Sequence, residues 1–296
     1  MLDRWEVPAG RAANHAVAMV QKRSSSQVPA LAAVAGDFGR GVEQGLERIA
    51  AVVLEARDRG AEMVVLPECA LGGYLGGEAI AVDGPEIARL AAIAGNTVVC
   101  AGFSESAPDA GAPYSSAVCV TGDGVLGHHR KVHLPPSEVD HFRPGNSFRA
   151  FDTPVGRVGM LVCYDKVFPE AARSLALDGA EIVASMAAWP VCRFAPAART
   201  DADRQTRQFN LLDQARAVEN QVVWVSANLT GRLGPLRFMG QAKIVDPDGT
   251  VLAKTGARAG MAIAHVDVSG EVSGARGFFS HLADMAPAAY RPVTAA

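Results

Sequence analysis

Apolar and polar positions alternate along the chain in blocks that read as strand and helix in turn. Pro29 to Ala35 is a short apolar run. Gly41 to Arg59 follows, with Leu46, Ile49, Val53 and Ala56 at helical spacing. Gly60 suits the end of that helix, and a second apolar run, Met63 to Leu66, stops at Pro67. These segments predict a strand-helix-strand unit. A helical pattern over Pro85 to Ala94 then leads into the apolar run Thr97 to Gly102, predicting another helix and another strand.

Two hairpins are predicted further on. Tyr114 to Val120 and Val125 to Lys131 flank Thr121-Gly122-Asp123-Gly124, while Gln241 to Val245 and Thr250 to Ala253 flank Asp246-Pro247-Asp248-Gly249. The stretch Arg59 to Val65 is echoed by Asp178 to Ala184, each following a helix and opening a strand. Two such halves predict an α/β fold of four layers, an αββα sandwich with two mixed sheets face to face and helices outside.

Composition narrows the class. The chain has 296 residues, 49% of them hydrophobic, enough for one large core. Residues 1–26 read as a mobile amino-terminal extension, because they lack a compact apolar stretch with a cleavage site, and 27–296 as one domain. A formal net charge of -3 carries no basic stripe, so nucleic acid is not an expected partner. No apolar run reaches the roughly 18 residues that a membrane helix requires, so no membrane partner is expected. Five cysteines, odd in number and scattered, point away from a disulfide framework and toward a reducing, cytoplasmic setting.

Three residues carry candidate chemistry. Cys163 ends the run Val158 to Val162 just before a proline-initiated helix at Pro169, where the strand end and the helix start favour a thiolate. Alone, such a cysteine is more often a small core residue. Glu68 follows Val64-Val65-Leu66-Pro67, a place where a carboxylate is fixed and partly buried, as a general base requires. Lys131 ends the first hairpin, where its compact charge suits a developing oxyanion. His128, His129, His133 and His141 crowd one region without a zinc-like spacing, which predicts hydrogen-bonding or solvent roles.

Taken together, Leu66-Pro67-Glu68, Arg130 to Pro135 and Cys163 to Glu170 resemble the three motif blocks of the nitrilase, or carbon-nitrogen hydrolase, superfamily, in that family's order. The resemblance runs from about Val28 to the segment Asp284 to Pro292. It implies the αββα sandwich, no metal or organic cofactor, and a Glu/Lys/Cys triad on Glu68, Lys131 and Cys163. It also implies a second glutamate: Glu138 fits, orienting Lys131 or substrate, with Asp140 as the competing carboxylate. A homodimer or higher homo-oligomer is implied as well.

Tyr164-Asp165 after the nucleophile resembles the amidases, where nitrile-cleaving members commonly have Trp-Glu. The expected substrate is therefore a small primary amide, hydrolysed to an acid and ammonia, with an N-carbamoyl compound or a nitrile as alternatives. A binding protein that keeps the fold without turnover is the reading from another class. Tyr164, Lys166 and Trp189 are the candidate substrate-binding residues, Lys166 as a cation for an acidic tail and Trp189 as a pocket wall.

Overall fold

A computed structural model describes residues 28–195 and 197–290. The proposed extension over residues 1–26 lies outside them. The predicted opening unit is present: β1 (Ala30–Gly36) leads through α1 (Val42–Asp58) to β2 (Ala61–Val65), which pairs parallel with β1. α2 (Pro85–Ala94) leads to β3 (Val98–Glu105), and β4 (Tyr114–Thr121) with β5 (Gly124–Arg130) forms the first hairpin. In the second half β6 (Ala150–Thr153), β7 (Gly156–Val162), α3 (Pro169–Leu177) and β8 (Ile182–Ala187) are followed by α4 (Arg204–Asn220) and β9 (Val223–Leu229).

The short pair β10 (Arg232–Leu233) and β11 (Leu236–Arg237) stands apart from the main sheet. β12 (Lys243–Val245) and β13 (Val251–Lys254) make the second hairpin. β14 (Gly260–His265) and α5 (Val268–Phe278) close the chain. The echoed turns at Gly60 and Gly179 both close a helix and open a strand, β2 and the strand at Ile182 respectively.

Twelve strands form a single hydrogen-bonded network, nine of them in the order β5-β4-β3-β2-β1-β9-β8-β7-β6 with β14 added on β1 and the β12-β13 hairpin on β9, where the sequence predicts two separate sheets. The join is narrow. β1 pairs with β14 from Ala30 to Ala35 and with β9 only through Ala35 and Gly36. The central strands are parallel and buried, which is why they read as continuous apolar runs rather than as alternating ones.

Three clusters hold the fold. One packs Leu46, Ile49 and Val53 of α1 and Leu90 of α2 against Val64 and Val99; another packs Leu175 of α3 and Ala217 of α4 against Leu161, Val183 and Trp224. The central one joins Leu31, Met63 and Val65 to Met160, Val162, Ala184 and Val225.

The topology decides where chemistry collects. β2 and β3 are parallel, and β3-β4 and β4-β5 are antiparallel, so β5 runs in the direction of β2 and ends at the same edge. β7 and β8 end together in the other half. Glu68, Lys131, Cys163 and Ala188 all lie within three residues of a strand's carboxyl end, the edge that lines ligand sites in parallel sheets.

Candidate active site

Glu68 is fully buried just beyond β2. The loop carrying it lies directly on β3: a Cβ at Gly102 would meet Glu68 Cα at 2.6 Å, so only glycine permits the approach. Lys131 Nζ donates to Glu68 Oε1 at 2.8 Å and to Glu138 Oε2 at 2.6 Å, with all three side chains fully buried. Ser115 Oγ donates to Glu68 Oε1 at 3.1 Å, Tyr74 Oη to Glu138 Oε1 at 2.7 Å, and the Ala188 N–H to Glu68 Oε2 at 2.9 Å. Of the two competing carboxylates, Glu138 is the one in this network; Asp140 is exposed.

Cys163 opens a 3-10 turn (Cys163–Val167) directly after β7, with φ of 48° and 8% exposure. Its thiol sits within electrostatic reach of Glu68, Lys131 and Glu138, and the nearby Ala188 N–H, which donates to Glu68 Oε2, also favours its anion. Burial, then the Glu68 charge, push the thiol well above its ordinary range, against Lys131 and the Ala188 donor. The expectation of a thiolate favoured by a strand end and a helix start is corrected here: the resting group is a buried thiol that needs a base.

Around it, burial pushes Lys131 down, but Glu68, Cys163 and Glu138 outweigh that and keep it protonated. Burial and the two carboxylates push the Tyr74 phenol upward, so it donates to Glu138 as a neutral hydroxyl.

Glu138 is raised to about 7 from 4.5 by burial and by the Glu68 charge, against Lys131 and Tyr74. A carboxyl raised in the folded state favours folding while protonated, so its contribution is complete below about 4.5 and lost as pH rises through about 7. Glu138→Gln removes this dependence and leaves the Lys131–Glu68 pair intact. Urea unfolding at pH 5 and pH 8 is expected to show a decline in wild type that exceeds the variant's by on the order of 3 kcal/mol. Equal declines would mean that Glu138 does not carry the proton.

Asp165, adjacent to the nucleophile in sequence, ties the two halves of the site. Its Oδ1 accepts from the Val132 and His133 N–H groups at 3.2 and 2.9 Å, and its Oδ2 from the Val162 N–H at 3.2 Å. His133 Nδ1 and His129 Nε2 lie 2.9 and 3.0 Å from it. Burial pushes its carboxyl up, but the His129 and His133 hydrogen bonds win and hold it below the usual carboxylate range. The segment bearing Lys131 is thus fastened to the turn bearing Cys163. The histidines take the hydrogen-bonding roles expected of them: His128 contacts Glu105, and His141 is exposed. Among the described residues no group of three His, Cys, Asp or Glu is placed to hold a metal.

The substrate-binding candidates fare unequally. Tyr164 is partly exposed and meets Phe168 edge-on. Trp189 is 7% exposed, with its indole N–H on Gln205 and its backbone N–H on Asn228 Oδ1. Lys166 is fully buried and its ammonium is taken by Asp213 at 2.7 Å, so a substrate tail would have to displace an existing ion pair. Phe194 is 91% exposed. Cys69 and Cys192, the other cysteines that could compete as nucleophile, are 2% and 3% exposed. Tyr74 and Ser115 are the members of the network that the sequence reading misses; an aromatic between paired glycines shortly after Glu68 is the signal for Tyr74.

The family model for carbon-nitrogen hydrolases matches residues 17–274. The chain belongs to the carbon-nitrogen hydrolase family. As a carbon-nitrogen hydrolase it is similar to an (R)-stereoselective amidase from a Pseudomonas species, 33% identical over 75% of this chain and 79% of that one. It is similar also to the omega-amidase of Bos taurus, 31% identical over 76% and 83% respectively. A probable nitrilase of Schizosaccharomyces pombe is 30% identical over 71% of this chain and 78% of that one. In fold it matches a carbon-nitrogen hydrolase from Helicobacter pylori with a TM-score of 0.79 at 24% identity, covering 89% and 97% of the two chains. No helix among the described residues of this carbon-nitrogen hydrolase is long and apolar enough to cross a membrane.

Proposed function

We propose that this chain hydrolyses a small primary amide to a carboxylic acid and ammonia through an acyl-thioester on Cys163. The observation that carries the reading is the buried Glu68–Lys131–Glu138 network, which also receives the Ala188 N–H on Glu68, beside the Cys163 thiol. Glu68 takes the Cys163 proton as sulfur attacks the amide carbon. Lys131 and the Tyr164 N–H hold the oxyanion, and Glu138 holds Lys131. Collapse breaks the carbon-nitrogen bond, and Glu68 returns its proton to the departing amine. A water deprotonated by Glu68 then attacks the thioester, releases the acid and restores the thiol. The Ser115 and Ala188 donors on Glu68 fix its position for both transfers.

Tyr164-Asp165 and the amidases among the relatives support an amide over a nitrile or a carbamoyl compound. Trp189 walls the pocket. The intact network supports turnover over mere binding. The same reading takes the two halves of the sheet as face-to-face layers with helices outside, supported by the three packing clusters. It also takes the protein as a cytoplasmic homo-oligomer, which gel filtration addresses.

The test is ammonia release from a panel of primary amides, N-carbamoyl compounds and nitriles. Release from amides is expected, with an acyl adduct on Cys163 by mass spectrometry. Glu68→Gln removes the base while keeping an acceptor for Lys131, and kcat is expected to fall at least about a thousandfold. Near-wild-type turnover in that variant, or an adduct on Cys69 or Cys192, would overturn the reading.

A further inference from the structure

A second buried charged cluster lies behind the Cys163 turn, and the chemistry above does not use it. Lys166, Asp213 and Lys243 are all buried. Asp213 Oδ1 accepts from Lys166 Nζ at 2.7 Å and from Trp224 Nε1 at 2.9 Å, while its Oδ2 accepts from Lys243. Lys166 Nζ also stands 3.4 Å from the centroid of Phe209 and 5.5 Å from that of Trp189. Each buried ion carries a heavy desolvation cost, and a packed apolar set of the same shape is often as stable or more so. Two ammonium groups around one carboxylate are therefore poorly explained by stability alone.

Their location gives an explanation. Lys166 is in the same 3-10 turn as Cys163, and α4, which carries Asp213, grips that turn by its backbone as well. Arg216 Nε donates to the Lys166 carbonyl at 2.9 Å and Arg216 Nη2 to the Val167 carbonyl at 2.8 Å. Cys163 needs such a grip, because a side-chain-bearing residue at φ of 48° sits in a disfavoured left-handed region and persists there only when its surroundings enforce it.

We propose that Lys166, anchored by Asp213, is a positioning residue that holds the strained Cys163 turn against α4 and sets a buried positive charge within the turn that carries Cys163. This rests on Cys163 as the nucleophile. Lys166 faces Asp213 and Arg216, with Lys243 across the carboxylate; Cys163 faces Glu68, Glu138, Tyr74 and Lys131. Burial holds Lys166 below the usual lysine range, and Asp213 and then the Cys163 charge offset part of that, so ammonium and thiolate favour each other. This assignment replaces Lys166 as a clamp for an acidic substrate tail.

The experiment is iodoacetamide alkylation of the full chain across pH 6–10, followed on the Cys163 peptide by mass spectrometry. It reads the thiol without any substrate, so it fails independently of the amidase reading. Lys166→Met leaves the Asp213–Lys243 pair in place. Its alkylation is expected to be roughly tenfold slower than wild type at each pH in that range, the thiolate being the reacting form throughout. Lys243→Met removes the same charge from the same cluster but away from the turn, and is expected to alkylate like wild type. An unchanged profile in Lys166→Met, or an equal slowing in both variants, would overturn the proposal. If Lys166→Met does not fold, the double replacement K166Q/D213N keeps a hydrogen bond while removing the pair's charges, and the same two outcomes decide.

Discussion

Cys163→Ala will release no measurable ammonia from an amide that the wild-type protein cleaves, a fall in kcat expected to exceed about ten-thousandfold. The size follows from losing a nucleophile whose partners act only through it; removing one member of such a set costs nearly as much as removing all of them. The rival thiols cannot stand in, since Cys69 and Cys192 are more deeply buried than Cys163. Alanine preserves the backbone demand at this position and deletes a single sulfur, so thermal unfolding will stay close to wild type. Ammonia release at saturating amide is the measurement, and equal release by the two proteins would remove Cys163 from the mechanism.

Lys131→Met will lose about 3–5 kcal/mol of stability at pH 8, the cost of leaving a buried charge uncompensated. Lys131 is the cation between Glu68 and Glu138, and both carboxylates are fully buried. Without it Glu138 faces burial and the Glu68 charge with no cation beside it, and its protonated form becomes the one that the fold tolerates. The stability of the variant is therefore greatest at acidic pH and falls as pH rises, so the deficit against wild type will be smaller at pH 5 than at pH 8. Urea unfolding at both values measures it. A deficit independent of pH would mean that lost packing, and not the two carboxylates, is responsible.

Much of this could be read in the sequence, for a physical reason. α1, α2 and both hairpins have apolar residues at the period of the element they form, and the central strands are apolar throughout. α4 escaped that reading because its buried stripe is Thr206, Phe209, Asp213, Arg216, Ala217 and Asn220, spaced as a helix but mostly polar. A pattern search keyed to apolar residues passes over it, although its polar stripe grips the Cys163 turn.

The site divides in the same way. Glu68, Lys131 and Cys163 stand at strand ends and are marked by local motifs. Tyr74 reaches Glu138 across 64 positions of chain, from a loop with no periodicity. Glu138 and Asp140 lie two residues apart in such a loop, and only three-dimensional placement separates them. Lys166 looked like a free cation because its partner Asp213 is 47 residues away.

The Ala188 N–H, which donates to Glu68 beside the Cys163 thiol, belongs to the main chain. Any residue except proline at position 188 supplies it. The loop beyond β8 can therefore exchange its side chains, and with them the shape presented to a substrate, while this donor stays where the reacting groups need it. Pocket and chemistry are in that sense separately adjustable: a lineage could change what it cleaves without rebuilding how it cleaves.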